Sequence, residues 1–163
     1  MNWDEFQKLS QQPAQLTTVF DRDVILPLLL GRENEDLSYW LGKQLARKFP
    51  VADQNDLVHF FACLNWGQLT PGRQKRHERL FVLSGPIVQQ RLALKKTAGF
   101  NLETGFLAES LQQQDQLLTE GTYQVLTRTK QIQFHFKNDP HDTISQQDIQ
   151  WCHFDELLTT PKF

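Results

Sequence analysis

The apolar periodicity of this chain changes at one place, and that change limits the folds open to it. Up to about residue 67 apolar side chains recur every three or four positions, the spacing of one helix face. Beyond Thr70-Pro71-Gly72 they alternate with polar ones, the spacing of a half-buried strand, and a Pro-Gly pair suits the two central positions of a tight turn. Helices come first, and a hairpin is expected over residues 67–84.

The helical part divides at its breakers. Trp3, Phe6 and Leu9 define one short helix; after Pro13, Leu16, Val19, Phe20 and Val24 define a second, kinked by Pro27 and ended by Gly31. Asn34 is expected to cap a third helix with Leu37, Leu41, Leu45 and Phe49 as its core face, stopped by Pro50. Asp53 opens a fourth, with Leu57, Phe60, Phe61 and Leu64 inward and Gly67 at its end. After the hairpin, Pro86 starts a helix carrying Ile87, Val88, Leu92 and Leu94, with Lys95 and Lys96 suiting its C-terminal dipole. Asn101 is expected to cap another, carrying Leu102, Phe106, Leu107, Leu111 and Leu118 and ending by Gly121, with Gln112, Gln113 and Gln114 on its solvated side. Strand chemistry returns over residues 122–129 and 131–137, where Ile132, Phe134 and Phe136 alternate with polar partners. Past Asn138-Asp139-Pro140 the tail is polar apart from Trp151, Phe154, Leu157 and Leu158, read as a short helix docking back. The order implies an α+β fold: a four-stranded antiparallel sheet of two hairpins with a helical layer on one face.

Composition agrees with one globular domain over 1–163. Of 163 residues, 39% are hydrophobic and 18 are aromatic (Phe 12, Trp 4, Tyr 2), enough for a real core. The longest apolar run, residues 24–30, is far short of the roughly 20 needed to cross a bilayer, and the acidic start Met1-Asn2-Trp3-Asp4-Glu5 is unlike a signal peptide. A cytoplasmic location is therefore expected, with no integral membrane segment. Cys63 and Cys152 are far apart and expected to be free thiols.

Several segments resemble the YslB-like family, small proteins of unknown function from low-GC Gram-positive bacteria. They are Val24-Ile25-Leu26-Pro27 with Leu30-Gly31; Tyr39-Trp40-Leu41-Gly42-Lys43 leading into Leu45-Ala46-Arg47-Lys48-Phe49-Pro50; Trp66-Gly67-Gln68-Leu69-Thr70; Gly85-Pro86-Ile87-Val88 with Arg91-Leu92; and Phe100-Asn101-Leu102-Glu103 with Gly105-Phe106-Leu107-Ala108-Glu109. They occur in the family's order over about residues 20–137, leaving 138–163 as an extension. At fold level the family resembles the superfamily of haem nitric-oxide sensors, vinyl-reductase-type domains and TRAPP trafficking subunits. The resemblance implies a ligand-binding α+β fold with a buried cavity in several relatives; it supplies no catalytic residues, and the Tyr-x-Ser-x-Arg haem motif is absent.

Trp40, Lys43 and Arg47 are spaced i, i+3, i+7 and share one helix side, a cationic aromatic face suited to an amphipathic anion. The plainer alternative is a packed Trp flanked by two basic stems. Arg91 and Glu103 are expected to form an ion pair near the same region. The seven basic residues Arg73, Lys75, Arg76, Arg79, Arg91, Lys95 and Lys96 stand against the single acid Glu78 within residues 71–96. A charged edge strand accounts for the hairpin's share, and no nucleic-acid partner is expected. His135, His141, Cys152 and His153 match no metal-site spacing, so no metal or cofactor is expected. Cys63 borders an apolar helix face, where a buried thiol, or less commonly an acylated or ligand-contacting one, is found. No nucleophile elbow, phosphate loop or dinucleotide fingerprint occurs, and Glu103 and Glu109 fall on different sides of their helix. The expectation is therefore a non-catalytic binding or sensor module for a small apolar or amphipathic anion; the alternative is a homodimeric protein-interaction scaffold.

Overall fold

The computed structural model describes residues 1–94, 98–145 and 148–154. Lys95, Lys96, Leu157 and Leu158, which carried expectations above, lie outside the described residues. Helices α1 (Trp3–Leu9) and α2 (Pro13–Phe20) run into a π-helical turn (Asp21–Ile25) and then α3 (Leu26–Leu30); a 3-10 turn (Gly31–Glu33) leads into α4 (Asn34–Lys48). There follow α5 (Gln54–Cys63), β1 (Gln68–Lys75), β2 (Glu78–Ser84), α6 (Pro86–Leu94), α7 (Asn101–Asp115), β3 (Leu117–Leu126) and β4 (Gln131–Thr143). All neighbouring strands are antiparallel in the order β1-β2-β4-β3, so two sequential hairpins join through their second strands. The expected architecture is therefore the observed one.

Local chemistry explains most boundaries. The Asp53 side chain accepts from the Asp56 N–H at 2.9 Å and caps α5. Gly31, at φ 61°, ends α3 with its N–H on the Pro27 carbonyl. Pro86 opens α6, where a missing N–H costs nothing. Asn34 and Asn101 instead lie one residue inside their helices and make no cap hydrogen bond.

Four expectations are corrected by tertiary context. Pro71 and Gly72 sit within β1 at a register shift, and the hairpin turns at Arg76 and His77; β1 is an edge strand, where a residue without an N–H is tolerated. Helix α7 ends at Asp115 because Gln116 adopts a left-handed conformation, so Leu118 belongs to β3. Strand β4 continues to Thr143: between the Thr119/Asn138 and Leu117/Thr143 pairs its extra residues, including Pro140, bulge out of the ladder. The described tail, 148–154, does dock, but as an extended strap: Cys152 bridges Val51, and the Phe154 N–H reaches the Asp56 carboxylate at 3.0 Å.

The sheet's inner face carries Phe81, Leu83, Ile132, Phe134 and Phe136, all buried. Helix α7 packs along it, with α4 packed on α7 in turn, so every residue of α7 from Leu102 to Gln113 is buried. Gln112 and Gln113 are therefore interior rather than solvated. Gln112 accepts from the Thr119 N–H at 3.1 Å and so fixes the α7–β3 corner.

Helix α4 meets α7 through small residues. A Cβ on Gly42 would overlap the Leu102 carbonyl, and one on Gly105 would overlap the Tyr39 carbonyl. Such an approach turns Ser38, Gly42 and Ala46 inward and leaves Leu37, Leu41 and Phe49 exposed, the opposite of the face that their hydrophobicity predicts. Because backbone atoms are in the way, relaxation is limited: Gly42→Ala or Gly105→Ala is expected to cost about 3 kcal/mol, read as a lower urea midpoint with an unchanged m-value. Leu37→Ala, on the exposed flank, is expected to change the midpoint little.

Candidate functional site

The i→i+5 turn at Asp21–Ile25, closed by the Leu26 N–H on the Asp21 carbonyl, carries two consecutive charged side chains into the protein. Arg22 and Asp23 retain only 8% and 9% side-chain exposure. They meet Arg91 of α6 and Glu103 of α7, forming a buried quartet of two guanidiniums and two carboxylates.

Its members are unequally partnered. Arg91 grips Asp23 with two hydrogen bonds (Nε–Oδ2 2.9 Å, Nη2–Oδ1 3.1 Å), adds Glu103 Oε1 at 3.3 Å and the Gly99 carbonyl at 2.6 Å, and lies 4.3 Å from the Phe100 ring centroid. Burial opposes its charge, but Glu103 and Asp23 outweigh burial and raise its pKa. Arg22 stacks at 4.4 Å on Trp66 and has an ion-pair contact of 3.4 Å with the Glu103 oxygen already used by Arg91. Nη2, the atom that makes this contact, is buried and makes no hydrogen bond among the described residues. Burial pulls the Arg22 pKa below its ordinary value, Glu103 pulls it back, and Arg91 adds to the lowering. A guanidinium remains charged under these conditions.

Arg22 borders two spaces. On one side is a polar recess of about 140 Å³ that it shares with Asp23, Glu35, Ser38, Arg91 and Glu103. On the other is a groove of about 550 Å³ walled by Ile25, Leu26, Leu45, Phe49, Phe60 and Leu64, with Trp66 beside Arg22 and the exposed Asp21 on its rim. Ile25, Phe49 and Leu64 are large apolar side chains that the groove leaves open to water.

The residues expected to bind ligand divide into two groups. Arg91 and Glu103 do pair, in the quartet. Trp40, Lys43 and Arg47 share one flank of α4 as their spacing predicts, but none of the three lines the groove, to which this stretch contributes Leu45 and Phe49 instead. Trp40 is 55% exposed; Lys43 is 3% exposed, with Nζ 2.8 Å from Glu120 Oε1 of β3. Arg47 binds Glu109 of α7 bidentately, Nε–Oε1 2.9 Å and Nη2–Oε2 3.1 Å, beside a separate polar recess. Both cations thus tie α4 down. Cys63 is exposed at the end of α5 rather than buried, because the helix turns Leu57 and Phe61 inward instead. His135 faces Glu78 and His153 faces Asp56, on different elements.

Arg22 and Asp23 were not anticipated. A signal was present: Asp23 falls seven residues after Leu16 and four after Val19, on the apolar stripe itself, where a charge requires a buried partner.

A family model described as "Protein of unknown function (DUF2507)" matches residues 16–137. The chain belongs to this family. It is 37% identical over 123 residues to the Uncharacterized protein YslB of Bacillus subtilis (strain 168), covering 76% of this chain and 83% of that protein. The family match takes in the whole quartet and every wall of the groove. Among solved structures, a vinyl-4-reductase family protein from Methanocaldococcus jannaschii is similar at TM-score 0.48 and 19% identity, over 64% of this chain and 67% of that one. Trafficking protein particle complex subunit 3 from Naegleria fowleri, solved covalently bound to palmitic acid, is similar at TM-score 0.42 and 14% identity, over 88% and 99% of the two chains.

Two measurements test this geometry. Arg91→Met strands Asp23 and leaves Glu103 only the longer Arg22 contact, and is expected to cost about 3–5 kcal/mol of folding stability, whereas Arg22→Met, which forfeits one 3.4 Å ion-pair contact and its stacking on Trp66, should cost less in the same urea titration. Burial also raises the pKa of both tyrosines, Tyr39 further through its hydrogen bond to Glu120 and the charge there. Their protonated forms are favoured in the folded state, so that contribution to stability is complete below about pH 10 and is lost as pH rises beyond it. Tyrosinate absorbance of the native protein should therefore appear at higher pH than in the denatured protein, and Tyr39→Phe should flatten the alkaline fall in stability.

Proposed function

We propose that this chain is a non-catalytic binding module for a small amphipathic anion, with the anion's head at Arg22 and its apolar part in the adjoining groove. The observation that carries this reading is the buried Arg22 guanidinium, whose Nη2 has a 3.4 Å ion-pair contact with Glu103 but no hydrogen bond among the described residues, on a residue that also borders apolar walls open to water. A buried charged donor held only by one long ion-pair contact gains a charge-assisted hydrogen bond when a ligand oxygen accepts from it. Each Å² of apolar ligand surface covered adds about 25 cal/mol. Asp21 on the rim and Glu103 behind Arg22 disfavour a second negative charge, so a monoanion is the better fit. A non-catalytic role is supported by the engagement of Asp23 and Glu103 with Arg91, which keeps them as acceptors rather than as movable acids or bases.

Dodecanoate, an unbranched chain with one negative charge, is a suitable probe below its micellar concentration. Calorimetry is expected to show saturable binding, weakened at least tenfold by Arg22→Met and unchanged by Cys63→Ser. Binding that is absent, or indifferent to Arg22→Met, would overturn the assignment. Native mass spectrometry of untagged protein should also show an adduct lost on denaturation.

A second reading, a homodimeric protein-interaction scaffold, is favoured by the exposed apolar side chains of α3 and α4: Leu28 (78%), Leu29 (75%), Trp40, Leu37 and Leu41. Binding of a ligand and self-association are compatible in one molecule.

A further inference from the structure

From the outward flank of α4 we infer that this helix is a self-association surface, pairing antiparallel with α4 of a second copy about a two-fold axis between Trp40 and Leu41. The inference rests on the scaffold reading and adds to it a face, a direction and a register.

The flank is Glu33, Leu37, Trp40, Leu41, Gln44 and Lys48, all exposed. Their spacing of three and four makes one continuous seam along the helix. It exists because the Gly42–Gly105 contact has turned the small residues inward. The seam's chemistry is ordered along its length. Apolar residues occupy the middle, the acid Glu33 stands just before the first turn, and the base Lys48 ends the last.

That order is self-complementary only when two copies run in opposite directions. In antiparallel helices facing residues have a constant sum of positions. An axis between Trp40 and Leu41 therefore sets Glu33 opposite Lys48 of the second copy, Leu37 opposite Gln44, and Trp40 opposite Leu41. Each charged end then meets its opposite twice, by symmetry, around a closed apolar centre. The helix dipoles are also opposed, each acidic N-terminal turn lying beside a basic C-terminal turn. A parallel pairing would instead set Glu33 against Glu33 and Lys48 against Lys48. The groove and Arg22 are not part of the seam, so association and ligand binding are separable by mutation.

Sedimentation velocity at tens of micromolar is the test. The unaltered chain is expected to sediment as a dimer and Trp40→Glu as a folded monomer that retains dodecanoate binding. Reversal at one end, Glu33→Lys or Lys48→Glu, should weaken the dimer several-fold, and combining the two should restore it. A monomeric unaltered chain would overturn both this inference and the scaffold reading. A dimer that survives Trp40→Glu would overturn the α4 face while leaving the scaffold reading intact. Failure of the combined reversal to restore association would overturn the antiparallel register.

Discussion

The close approach of α4 to α7 at Gly42 and Gly105 is the constraint from which the rest of the helical layer follows. Two helices whose backbones touch must present small side chains to each other, so Ser38, Gly42 and Ala46 face inward and the leucines beside them do not. At this distance Lys43 and Arg47 reach carboxylates beyond their own helix, Glu120 on β3 and Glu109 on α7, and the resulting pairs hold the helix against rotation. Helix α7, closed between α4 and the sheet, has no solvated face. Several of its polar residues find partners inside, Thr104 on the Phe100 carbonyl, Gln112 on the Thr119 N–H and Glu103 on Arg91, while Ser110 Oγ and Gln113 Oε1 are buried without one among the described residues.

The buried quartet shows how such an interior handles charge. Equal numbers of guanidiniums and carboxylates make it neutral, which burial demands, yet neutrality does not make its members equivalent. Arg91 holds both carboxylates and a backbone carbonyl; Arg22 shares one carboxylate oxygen at a longer distance and leans on the Trp66 ring. One arginine fastens α6 and α7 to the turn after α2. The other has a single longer contact and no hydrogen bond among the described residues, and its residue borders the apolar groove. The π-helical turn makes the difference possible, because it brings Arg22 and Asp23 inside together just ahead of Pro27.

Expectation and structure part company where a residue's preference is answered from far along the chain. Pro71-Gly72 has the chemistry of a turn, but pairing with β2 continues past it to Lys75 and moves the turn to Arg76-His77. Gln112 and Gln113 look solvated until α4 covers them. Leu37 and Leu41 look like core until Gly42 and Gly105 bring the backbones together. In the site, the Arg91–Glu103 pair was legible, being twelve residues apart on successive helices; the Arg91–Asp23 and Arg47–Glu109 pairs span more than sixty residues, and no local pattern selects those partners.

What this sequence determined by itself is the kind and order of its elements, because periodicity, the Asp53 cap and the breakers Gly31, Pro50 and Pro86 act within a few residues of chain. It also determined the sheet's buried face, since alternation at Ile132, Phe134 and Phe136 leaves only one side apolar. Tertiary structure alone decided which flank of α4 is inside, which distant carboxylates Lys43, Arg47 and Arg91 reach, and that Arg22, with one longer contact to Glu103, borders the groove. Those outcomes depend on van der Waals closeness and charge pairing between distant segments, whose energies exist only once the layers have met.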